Sequence, residues 1–350
     1  MSKVCVPGGQ VPLRTLVLHI CLGKVRLCMA EVGRAHPVGG VDYPRTFQQL
    51  LAWFPDDTAC LDYLAGLRWP DGFVCPACSS GRYWRTAKAR WMCCDCGRQT
   101  SVTSGTIFHR TRTPLSTWFA AVWFITSQKN GVSALGLQRV LGFGSYETAW
   151  AWLHKLRRAM VRPDRDQLSG IVELDEVFIG NETRGKAGEA KDNTAAMVAV
   201  ESLPDRKLGR VRMEFSPLAN SAALVEFAQR TIAPGSTIRT DGARTLRVLS
   251  DLGYHHEYFV GLHSTQPAHV NLPSVHLVAS LLKRWLTGTL HYAASQKHLD
   301  YYLDEYTFRF NRRTSRARGL LFYRLLQQAV GTDPHPLKDL LTPQPDPDFT

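Results

Sequence analysis

The chain has 350 residues, 42 Lys and Arg against 30 Asp and Glu, a net charge of +12 and 44% hydrophobic content. At roughly 100–200 residues per domain, this is a globular chain of two or three domains rather than a disordered one. The excess of cations favours a polyanionic partner, nucleic acid above all. No stretch reaches the ~18–20 uninterrupted apolar residues of a membrane helix. The closest, residues 16–29, is broken by Lys24 and Arg26 and lacks a secretory cleavage site. Nine cysteines, an odd number, argue against a disulfide framework and for metal ligation in a reducing compartment, the cytoplasm.

In chain order, residues 1–40 show no sustained period and read as an extension with no assigned role, carrying Cys5, Cys21 and Cys28. Residues 41–70 form an N-terminal helical segment, broken at FPDD, where an Asp suits a helix N-cap. Residues 71–112 are a cysteine-rich module. Residues 113–165 are helical: PLSTWFAAVWFITSQ opens at Pro114, and SALGLQRVLG and SYETAWAWLHKLRRAM follow across a glycine-bearing turn. Over 166–315 the character changes to short β-branched runs (IVELDEVFIG, AAMVAVESL, RVRMEFSPL, STIRTDG) with helical stretches between and after them. That order predicts a mixed α/β domain. Residues 316–350 carry a last helix, then a Pro- and Asp-rich tail from Pro334 that reads as disordered.

CPAC and CCDC make two C-x-x-C knuckles with 14 residues between them. Four thiolates, Cys75, Cys78, Cys93 and Cys96, suit tetrahedral Zn²⁺ in a zinc ribbon. Cys94 is left over, because only Cys93 and Cys96 keep the two-residue gap. Such a module has too little core to fold without its metal. Residues 81–112 also carry seven Arg or Lys and one Asp among Tyr83, Trp84 and Trp91, a pattern suited to phosphate contact.

The two helices after Pro114's helix read as helix-turn-helix. Ser145 can cap the second, and Lys155, Arg157 and Arg158 would face DNA. The competing reading is a helical linker whose Trp150, Trp152 and Leu156 pack in a core.

VELDEVFIG sets Asp175 inside a hydrophobic strand, where a carboxylate needs a partner. Asp241 ends the strand STIRTDG. On neighbouring strands the two could share a divalent cation; structural ion pairs or caps are the alternatives. His276 and Lys283, seven residues apart, share one helix face, and Glu305, Arg309 and Arg312 fall on another. Glu176 and Glu182, nearby, could contribute to the same site, but each reads first as an exposed surface acid.

Together these motifs resemble the DDE-type insertion-sequence transposases with an N-terminal zinc ribbon. VELDEVFIG, RTDGAR, LPSVHLVASLLKRWLTGTLH and YLDEYTFRFNRR stand in the family's order over residues 43–320. The resemblance implies an RNase H-like catalytic core behind the zinc ribbon and the helical HTH-like segment. It implies Asp175, Asp241 and His276 as ligands of catalytic Mg²⁺ or Mn²⁺, beside the structural Zn²⁺. Most of the family has Glu at the third place; His276 matches a branch with His or Asn, and imidazole suits Mn²⁺ better than Mg²⁺. Lys283 would contact DNA near the scissile end, and Arg309 and Arg312 would bind DNA or serve structure. The implied function is metal-dependent strand cleavage and strand transfer. The partners are terminal inverted repeats and target DNA, met as a homo-oligomer at a prokaryotic nucleoid. A DNA-binding protein that no longer cuts is the rival, and a metal hydrolase unrelated to DNA a distant third.

Overall fold

The computed structural model describes residues 36–162, 165–179, 195–216, 221–259, 271–290 and 296–341. The chain divides into two compact units, along lines that differ from the expected boundaries. One holds the described residues up to Ser127 together with Ala317–His335; the other holds Gln128–Arg316 and the residues from Pro336. Segment 113–165 is therefore divided between them, as is 316–350.

The first unit begins with α1 (Phe47–Trp53) and α2 (Asp57–Arg68), parted at FPDD, where the Asp56 side chain accepts the Ala59 N–H as N-cap. The strands β1 (Tyr83–Arg85), β2 (Trp91–Cys93) and β3 (Gln99–Thr100) form a small antiparallel sheet. The long apolar run after Pro114 is α3 (Leu115–Ser127). Phe54, Tyr63, Phe119 and Phe322 pack edge-on and stacked at 4.6–6.5 Å between centroids, so the late helix containing Phe322 closes this core. Gly319 on that helix meets the Pro44 carbonyl so closely that a Cβ would lie 1.8 Å from its oxygen. Only glycine allows the approach.

The second unit opens with α4 (Ala134–Leu141) and α5 (Tyr146–Arg158). Gly142 ends α4 in the left-handed region (φ +68), and Ser145 caps α5 through the Glu147 and Thr148 N–H groups. Then come β4 (Ile171–Phe178), β5 (Ala195–Leu203), β6 (Lys207–Ser216), α6 (Ser221–Thr231), β7 (Thr237–Thr240), α7 (Val248–Asp251) and β8 (His255–Tyr258). The helices α8 (Pro273–Leu290) and α9 (Leu299–Phe310) follow. The first unit's late helix is α10 (Arg318–Ala329), and α11 (Leu337–Leu341) returns to the second. The expected disordered tail is thus helical at 337–341.

The five strands stand in the order β6-β5-β4-β7-β8, antiparallel from β6 to β4 and parallel from β4 to β8. Strand β4 is central, and alternate residues divide between two cores. Val172 and Leu174 pack with Leu224 and Phe227 of α6. Val177 packs with Val275, Val278 and Leu282 of α8 and with Leu303 and Tyr306 of α9. Glu173 and Asp175 share the parity of Val177, so they stand on the face that α8 and α9 cover. Among the described residues no helix is long and apolar enough to cross a membrane.

Candidate active site and metal centre

The cysteine knuckles are two copies of one turn. In the first, the Ser79 N–H donates to the Cys75 carbonyl and the Cys75 N–H to the Ser80 carbonyl. In the second, Gly97 and Arg98 make the same bonds with Cys93. The residue after each second cysteine is left-handed, Ser79 at φ +58 and Gly97 at φ +71. This geometry turns both thiols of a knuckle to one side. Cys75 and Cys96 sulfurs lie 3.5 Å apart, as do those of Cys78 and Cys93, and all four ligand atoms lie within 4.8 Å of one another. Tetrahedral bonds of about 2.3 Å require sulfurs about 3.8 Å apart, so the four cysteines fit Zn²⁺.

Trp91 backs the cluster at 4% exposure, against Trp69 and under the Arg85 guanidinium. All seven cations of residues 81–112 are exposed. Asp95 engages Arg82, and Asp62 engages Arg85.

On the sheet, β4 and β7 run parallel with Glu173 opposite Arg239. Asp175 lies two residues beyond that pair on β4, and Asp241 two residues beyond it in the turn that follows β7. Asp175 is half-buried and accepts the Glu176 N–H at 2.8 Å. Burial raises its carboxyl above the usual range; the Asp241 charge raises it further, while the Glu176 N–H and His276 oppose the rise. Asp241 is exposed on a turn where Gly242 takes φ +87 and the Ala243 N–H donates back to its carboxylate. The buried Thr240 hydroxyl pairs with His256 Nε2 at 2.9 Å, bracing the base of that turn.

His276 lies in the first turn of α8, with its Nε2 buried and, among the described residues, without a hydrogen-bond partner. Lys283 is exposed two turns on. Glu176 is half-buried rather than surface-exposed, and burial followed by the Asp175 and Asp241 charges raises its carboxyl too. Glu182 lies outside the described residues. The charges of Asp241 and His276 both act on the Asp175 carboxyl, in opposite directions. Among the described residues, however, only the cysteines bring three or more ligand atoms within 4.8 Å of one another. A divalent ion held here would offset the repulsion between the Asp175 and Asp241 carboxylates and give the His276 Nε2 a partner.

The cations assigned to DNA contact fare unequally. Arg157 is buried at 2% exposure and paired with Glu305, itself at 1%, at 2.8 Å, its guanidinium over the Tyr302 ring. It belongs to the interior, because its place on α5 follows the buried period of Ala149, Leu153 and Leu156. Arg309 also binds Glu305, at 2.7 Å. Burial alone would raise the Glu305 carboxyl, but Arg309 and Arg157 hold it below the usual range. Arg312 lies over the Phe308 ring and donates to its carbonyl. Lys155 is half-buried, which lowers its ammonium pKa, and Arg158 is exposed.

Sequence reasoning missed Glu173, the buried acid two places before Asp175 on the same face. Its signal was available: a second carboxylate inside the same apolar strand.

The chain matches the ISXO2-like transposase domain over residues 167–311 and the transposase zinc-ribbon domain over residues 55–99. An uncharacterized protein in transposable element ISH50 of Halobacterium salinarum is 27% identical over 280 residues, which cover 73% of this chain and 91% of that protein.

Proposed function

We propose that this chain, which belongs to the insertion-sequence transposases with an N-terminal zinc ribbon, cuts DNA at its element's ends and joins them to target DNA. What supports the proposal most is the parallel pairing of β4, which carries Asp175, with β7, whose end leads directly into Asp241; among the described residues His276 Nε2, in the first turn of α8, is buried without a hydrogen-bond partner. On this reading the sheet is an RNase H-like core. Its support is the strand order, three antiparallel strands followed by two parallel ones, with helices on both faces.

Asp175, Asp241 and His276 would hold Mg²⁺ or Mn²⁺. Bound there, the cation would offset the charge gathering on a phosphate under attack and make water or a 3′ hydroxyl a competent nucleophile. The carboxylates would fix where the cation sits and, through it, the phosphate. His276 would add a nitrogen ligand, which favours Mn²⁺. Lys283, exposed on the same helix, would hold a neighbouring phosphate. The exposed cations of the zinc ribbon would grip the terminal repeats, leaving bond exchange to the sheet. Both reactions are in-line displacements and need no covalent protein intermediate. The enzyme would act as a multimer on paired ends, at the DNA of a prokaryotic cytoplasm.

The test is cleavage of a labelled duplex carrying the element's end, with Mg²⁺ or Mn²⁺, by wild type and Asp175→Ala. Wild type should cut, and the variant should lose about a thousandfold or more in rate, roughly 4 kcal/mol of barrier. End-specific binding without cutting in either metal would turn the reading to a DNA-binding protein that has lost its chemistry.

A further inference from the structure

We infer that Glu173 is a positioning residue of the same site: its buried carboxylate sets the distance between Asp175 and His276 by tying α8 to β4. The inference rests on the catalytic reading above.

Glu173 stands in the middle of β4 at 1% exposure. Among the described residues it has no ion-pair partner, a costly position for a carboxylate. What satisfies it is the start of a helix. One oxygen accepts the Ser274 N–H at 2.7 Å and the Val275 N–H at 2.9 Å. The other accepts the Ser202 hydroxyl at 2.8 Å, and Ser202 and Ser274 share a further bond at 2.6 Å. An 18-residue helix presents its positive end there.

The source of this cap is informative. A helix is usually capped by the residue just before it, but Leu272 stands there and has no acceptor side chain. The cap comes instead from a strand about a hundred residues earlier, the strand that carries Asp175. Asp175 follows Glu173 by two residues on the same face, roughly 7 Å along β4. His276 follows Val275 directly on α8. One carboxylate thus joins the backbones of both residues, and the β5 hydroxyl of Ser202 braces it. Without it, the first turn of α8 would lose the acceptor for two amides, and His276 would lose its fixed place relative to Asp175.

The measurement uses the full-length, zinc-loaded chain: Mn²⁺ binding, and end cleavage as a function of Mn²⁺, for wild type, Glu173→Gln and Glu173→Ala. Zinc content and binding to the end duplex should match wild type in both variants. Glu173→Ala should raise the half-saturating Mn²⁺ concentration by about 10–100-fold, the usual effect of removing a residue that orients a ligand. Glu173→Gln, which keeps an oxygen for the amides, should recover much of that loss. A residue that served stability alone would lower the folded fraction and the cleavage plateau, leaving half-saturation at the wild-type value; that result overturns the inference. If Glu173→Ala fails to fold, Ser202→Ala decides, with a smaller rise in half-saturation expected and an unchanged value overturning it. Wild type that neither binds Mn²⁺ beyond its zinc nor cuts would overturn the catalytic reading, and this inference with it. Wild type that cuts while every variant matches its Mn²⁺ dependence would overturn the inference alone.

Discussion

The cysteine cluster and the proposed acidic site of the sheet both gather side chains able to ligate a metal, and they are built by opposite means. The cysteines span 22 residues, sit in two copies of one turn, and bring their sulfurs to tetrahedral spacing. Asp175, Asp241 and His276 span about a hundred residues and come from a strand, the turn after a second strand, and a helix. The charges of Asp241 and His276 both act on the Asp175 carboxyl. Local turns can impose ligand geometry on their own. A convergent site inherits its geometry from packing. The ribbon should therefore need its metal to fold, and the sheet only to react.

The largest effect that could break this comparison is at Cys93. Cys93→Ser should lose zinc and, with it, a binding free energy of roughly 10–16 kcal/mol that such modules use for folding. Amide exchange over residues 75–100 should become fast. Persistent protection without zinc would show that the ribbon's aromatic core suffices and that the contrast is false.

Next is the device that holds the sheet unit together without a metal. Glu305→Ala leaves Arg157 buried and unpaired and should cost about 3–5 kcal/mol, a fall of ~10 °C in the melting of this unit. Zinc occupancy should not change. A melting point within a degree or two of wild type would mean that the buried pair is not what secures α5 to α9.

The smallest effect sharpens the division between gripping and cutting. Lys283→Ala should weaken binding to the end duplex only a few-fold and reduce the salt dependence of binding by about one phosphate contact. An unchanged salt slope would remove Lys283 from the DNA surface.

Much of this was legible in the residues themselves. The FPDD break, the Ser145 cap and the apolar strands of the sheet are local signals, and the helices and strands stand where those signals put them. The strand β8 escaped because HHEY carries no apolar alternation; it is a polar edge strand, held by pairing with β7. Arg157 misled because its charge suggested DNA, whereas its helical period placed it inside. Its partner Glu305 stands 148 residues away, beyond any local pattern. Glu173 was hidden behind Asp175, since a strand sequence cannot say which of its acids faces a helix end.

The sequence alone determined the zinc ribbon, because its ligands, turns and spacing all lie within a few residues of one another. It also set Asp175 in a strand, because a carboxylate in an apolar run is conspicuous. Only the tertiary structure decided that β4, which carries Asp175, lies side by side and parallel with β7, which leads into Asp241. It alone set Glu173 at the head of α8 and withdrew Arg157 into the core. Those outcomes depend on which distant elements pack together, and packing is chosen by the summed burial of whole faces rather than by any one residue's neighbours in the chain.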